Sequence, residues 1–98
     1  MIIDTHNHIY PDNVAPIVAK KMADDGLKPY GDFRLQDLLA TLDGCNISAA
    51  VVFNIAEKPS VVQSANDFLA NVCDGKRLIG LGTIHPDYED FQNEIDRC

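Results

Sequence analysis

Three short strand-like runs, residues 2–8, 48–55 and 77–84, are separated by segments whose apolar residues recur at helical spacing. That alternation points to α/β architecture. The middle run, Ser48 to Ile55, is apolar almost throughout, as a strand covered on both faces requires. Between the first and second runs lie two helical patterns. The first opens at Asp12-Asn13, carries Val14, Ile17, Val18 and Met22, and ends at Gly26. Asp32 is expected to cap the second, whose Leu35, Leu38, Leu39 and Leu42 form one apolar face that Gly44 closes. Pro59-Ser60 opens a third helix, lined by Val61, Val62, Ala65, Phe68, Leu69 and Val72 and closed by Asp74-Gly75. Tyr88 to Arg97 reads as a fourth.

Right-handed crossovers would set the three strands parallel, with the helices on one side of the sheet. A doubly wound sheet usually covers both faces, whereas a barrel carries helices only outside. Three strands cannot close a barrel, and such barrels run to about 250 residues. The expectation is therefore one partial domain over residues 1–98, the first three β/α units of a (β/α)8 TIM barrel. This incomplete barrel would leave its inner face and two sheet edges open.

Composition removes several partners. Fifteen acidic against eight basic residues give a net charge of −7, and no basic stripe exists to meet a nucleic-acid backbone. No apolar run is long enough to span a bilayer, and Met1-Ile2-Ile3-Asp4 lacks the basic start of a secretory signal. A cytoplasmic location is expected. Three cysteines, Cys45, Cys73 and Cys98, without a CxxC pair, argue against a disulfide framework or a zinc knuckle. Most of the acidic group Asp87, Glu89, Asp90, Glu94 and Asp96 reads as the first turns of a helix, where carboxylates suit the dipole.

The sharpest chemical signal is Ile3-Asp4-Thr5-His6-Asn7-His8. Strict strand alternation projects Asp4, His6 and His8 to one side. Two imidazoles at that spacing suit a divalent metal such as zinc, and Asp4 is a candidate to orient a ligand from behind. A bare HxH is common; its place at the carboxyl end of a first strand, where barrel enzymes keep their active sites, sharpens it. The competing reading is a pair of polar residues bonded to neighbouring loops. His85, at the end of the third run, is a candidate substrate contact, against the alternative that His85-Pro86 simply ends the strand with the imidazole bonded to loop backbone.

The opening Ile3-Asp4-Thr5-His6-Asn7-His8-Ile9-Tyr10-Pro11 resembles that of the amidohydrolase superfamily, in the branch that includes aminocarboxymuconate-semialdehyde decarboxylase and related hydrolases. Leu38 to Ile47, Asn66-Asp67 and Gly80-Leu81-Gly82-Thr83-Ile84-His85-Pro86 resemble later parts of the same pattern. The resemblance implies His6 and His8 as the first two ligands of a divalent metal, usually zinc, and a small-molecule substrate. It also implies that the catalytic aspartate and further ligands come from strands beyond Cys98, so that the 98 residues alone lack catalysis. It leaves hydrolysis and decarboxylation both open. A TatD-like or PHP-type metal hydrolase is the nearest rival. A non-catalytic α/β domain that oligomerises, or pairs with the rest of a barrel, is the rival from another class.

Overall fold

The computed structural model describes residues 1–98. Its elements are β1 (Ile3–Asn7), α1 (Ala15–Asp24), α2 (Leu35–Gly44), β2 (Ala49–Phe53), a 3-10 turn at Pro59–Val61 that runs into α3 (Val62–Val72), β3 (Leu78–Leu81) and α4 (Phe91–Arg97). The strands form one parallel sheet in the order β1-β2-β3. The expected α/β class and parallel three-strand sheet are therefore present, with four α-helices. No helix is long and apolar enough to cross a membrane.

The core lies on one side of the sheet. Ala50 and Val52 of β2 and Leu78 of β3 meet Leu42 of α2, Leu69 of α3 and Ile9, with Leu35, Leu38, Leu39, Phe68 and Val72 around them. Both crossover helices thus return over the same face, as crossovers of one hand must. Each fully buried Leu or Val here contributes about 1.5–3 kcal/mol over its exposed state. The opposite face carries the alternate residues. Val51, Phe53 and Ile79 are half-buried there, while Ile55 is 66% and Leu81 50% exposed. The molecule measures 41 × 34 × 19 Å, and the short dimension is that of one sheet and one helix layer. Only 13 of 98 residues are buried, because half the sheet's apolar surface has no cover.

Several local expectations are corrected. Asp12 and Asp32 do not cap helices. The cap positions are Val14 and Arg34, and neither makes a side-chain cap bond. Asp32 instead accepts the Arg34 backbone N–H at 2.8 Å, and its own N–H goes to Asp37 Oδ2 at 3.0 Å. The fourth helix begins at Phe91, three residues later than its pattern suggests, after turns that include Tyr88 N–H to His85 O at 3.0 Å. The third strand ends at Leu81, not Ile84. Beyond it Asn66 captures the chain by taking the Thr83 N–H at 2.7 Å and giving its own amide to Thr83 O at 3.0 Å.

Gly80 has a packing reason. A Cβ there would lie 3.1 Å from Cys73 Sγ, so the sulfur of Cys73 sits directly on the backbone of β3. The next residue, Asp74, accepts the N–H groups of Lys76, Arg77 and Leu78. These bonds, that of Leu78 foremost, hold its carboxyl below the usual carboxylate range.

Glu94 departs furthest from expectation. It belongs to the acidic group near the end of the sequence, yet it is 2% exposed. Its carboxylate takes hydrogen bonds from Asn66 Nδ2 at 2.7 Å and from Arg97 Nε and Nη2 at 2.9 and 2.7 Å. A buried carboxylate needs such compensation, and α4 is thereby tied to α3 and to the end of β3.

Candidate metal centre

Because the three strands are parallel, their carboxyl ends share one side of the molecule. His6, His8 and Phe53 meet there. The two imidazole centres are 5.1 Å apart and perpendicular. Each also stands edge-on to the Phe53 ring, at 4.9 Å for His6 and 4.8 Å for His8. Phe53 is the residue that sequence reasoning passed over. It is the last residue of β2, beside the end of β1, on the uncovered face of the sheet. Recognising it needed the pairing register, which strand patterns alone do not fix.

That register also moves Asp4. Asp4 pairs with Ala50 and Asn7 with Val52, so β1 spends three steps where β2 spends two. The extra residue is a β-bulge, and it inverts the alternation. Before the bulge Asp4 lies on the helix-facing side with Ala50. After it Asn7 lies on that side with Val52, and His6 and His8 turn to the uncovered face with Phe53. The expected common face for Asp4, His6 and His8 therefore does not form. The Asp4 carboxylate accepts the His6 backbone N–H at 3.2 Å rather than an imidazole N–H. Asn7 fastens the bulge by giving its amide to Val51 O at 3.2 Å and Asp4 O at 3.4 Å.

His8 Nδ1 lies 2.5 Å from Phe53 O. A carbonyl only accepts, so Nδ1 carries the proton, and in the neutral ring Nε2 keeps a lone pair. A backbone carbonyl behind the distal nitrogen is the usual support of a metal-ligating imidazole. Two imidazole centres 5.1 Å apart also suit one ion, since metal–nitrogen bonds of about 2.0–2.1 Å in a tetrahedral arrangement set ring centres roughly 5 Å apart. The donor set stops at two. Nowhere do three His, Cys, Asp or Glu side chains converge on one point.

His85 has the opposite bonding. Its Nδ1 accepts the Asp87 backbone N–H at 3.1 Å, within the turn closed by Tyr88. That is the loop-backbone alternative to substrate contact. In neutral His85 the proton then sits on Nε2, a donor rather than a lone pair.

The surroundings are built from three loops. Asn54, 4% exposed, donates to Ile9 O at 2.6 Å and so ties the segment after β1 to β2. Its Oδ1 is buried without a donor. Tyr10 is half-buried, and burial first, then the nearby Glu57 carboxylate, pushes its phenol above the ordinary range. Glu57 in turn pairs with Lys21 of α1. A cleft of about 420 Å³ beside β1 is lined by His6 and His8, by Tyr30 and Phe33 of the segment before α2, and by Asp37, Leu38 and Thr41 of α2.

No protein-family model matches the chain, and neither a curated protein nor a solved structure matches it.

Proposed function

We propose that the three strands are the first three of a (β/α)8 barrel, and that His6 and His8 are two ligands of a divalent metal, zinc by the chemistry of its donors, in an amidohydrolase-type enzyme acting on small molecules. One observation carries the reading. His8 is held by Phe53 O with Nε2 unprotonated, beside a second imidazole, at the carboxyl end of a parallel sheet. The bare apolar face supports the barrel, since further strands of the same hand would enclose it. Bound between imidazoles, such an ion supplies Lewis acidity and a water of lowered pKa. The chain's own residues contribute placement. Phe53 fixes the His8 tautomer, Asn7 fastens the bulge that aims both rings, and the Asn54 bond to Ile9 steadies the segment that follows. Remaining ligands and an acid–base group would come from later strands, and decarboxylation on the same scaffold stays within the proposal.

The test is metal content after dialysis against zinc, for wild type beside His6→Ala and His8→Ala. Both variants should lose bound metal, by at least tenfold in affinity. Equal metal in all three proteins would refute the assignment.

A second reading has its own support. The uncovered face with Ile55 and Leu81 exposed is also what a domain that binds another chain through its sheet would show. Wild-type protein that binds no zinc yet forms a defined oligomer would favour it.

A further inference from the structure

Residues 10–33 leave the sheet after β1 and come back to the point they left. Tyr10 N–H bonds to Phe33 O at 2.8 Å, and the two rings meet edge-on at 6.0 Å. This neck closes a long excursion that contains α1. Between residues 11 and 32, Ala15 is the one buried side chain, and Ile17 and Tyr30 are 68% and 91% exposed. The excursion is thus lightly packed on the rest of the molecule. At the neck, Phe33 adopts φ 67°, a left-handed conformation that a bulky side chain disfavours.

Two further contacts give the excursion a direction. Pro29, Tyr30, Gly31 and Phe33 of its returning arm line the same cleft as His6 and His8, which α2 also lines. Outside the lining of the cleft, Lys21 of α1 pairs with Glu57 and so ties the excursion to the loop after β2. Both partners are more than half exposed, so the pair is of the weak, salt-screened kind.

We propose that residues 10–33 are a flap over the His6–His8 cleft, hinged at the Tyr10–Phe33 neck and held shut by the Lys21–Glu57 ion pair. Opening lifts residues 29–32 from the cleft at the cost of the Asp32 N–H bond to Asp37, without unpairing the sheet, because the hydrogen bonds of β1, β2 and β3 lie outside the excursion. The flap itself follows from the chain's geometry; its role as a gate rests on the reading of His6 and His8 as ligands.

The experiment compares wild type, Lys21→Gln and Glu57→Gln by hydrogen exchange, with a chelator present so that metal binding plays no part. Carbethoxylation of His8 is followed in the same samples. Loss of the ion pair should speed exchange across α1 about two- to fivefold, the range an exposed pair allows, while β2 amides keep their rates. His8 modification should rise by a similar factor, and raised salt should bring wild type to the variants' rates. Unchanged α1 exchange in both variants would overturn the latch. Equal acceleration in β2 would show global loosening instead of a flap. Faster α1 exchange with unchanged His8 modification would overturn the gate. None of these outcomes depends on whether zinc binds, so failure of the flap and failure of the metal assignment are separable.

Discussion

His8 gives its Nδ1 proton to Phe53 O, whereas His85 Nδ1 receives the Asp87 N–H. The two neutral rings must therefore carry their protons on opposite nitrogens. Nitrogen NMR of the imidazoles above pH 8, without metal, should show His8 as the Nδ1–H form and His85 as the Nε2–H form. An Nε2–H form at His8 would remove the structural argument for it as a ligand. This difference was not readable from the sequence. His8 ends one strand-like run and His85 follows another, and only the carbonyl of Phe53 and the turn after His85 distinguish them. The HxH itself was legible. The opposite face of Asp4 was not, because one extra residue in β1 reverses an alternation that sequence reading must assume to be regular.

At the scale of elements, Glu94 decides how α4 is held. Hydrogen bonds from Arg97 first, and from Asn66, hold its carboxyl down at about 2. An unfolded glutamate titrates near 4.3. A depressed folded value means that the stabilisation is complete above the unfolded pKa and is lost as pH falls toward the folded one. Lowering the pH from about 5 toward 2 should therefore release α4 and loosen the Asn66–Thr83 tie, and Glu94→Gln should flatten that part of the acid profile. Denaturant midpoints of both proteins across this range check it; identical slopes would contradict it. Helix and strand order was legible throughout, since each apolar pattern had its own period. The ends were less so. Residues 82–84 continue the apolar run of β3, but Asn66 takes their backbone in place of a neighbouring strand. Glu94 looked like one more surface acid, because its partner Asn66 lies 28 residues away and no local pattern joins them.

For the molecule as a whole, the governing fact is a sheet covered on one side. Ile55 and Leu81 lie on the open side, and each is at least half exposed. Replacing both by lysine removes apolar surface that the monomer does not use, so monomer stability should change by less than about 0.5 kcal/mol, as at ordinary surface sites. Self-association should fall. Sedimentation of wild type and the double variant at rising concentration reads the second effect, and thermal unfolding the first. A large loss of stability would mean that the open face is covered within the monomer. One-sided burial followed from the strand–helix order once crossovers of one hand were assumed; what covers the other side lies outside any pattern in these residues.

The bulge in β1 and the lightly packed excursion that follows it differ in how they bear changes of chain length. Adding or removing one residue between His6 and His8 would put the two imidazoles on opposite faces of the sheet. Adding or removing a few residues between 11 and 32 leaves every strand register intact, because the Tyr10–Phe33 neck sets where the chain re-enters. Over descent, insertions and deletions would collect in the second stretch and be purged from the first. The spacing of the two histidines would then outlast the length of the loop beside them.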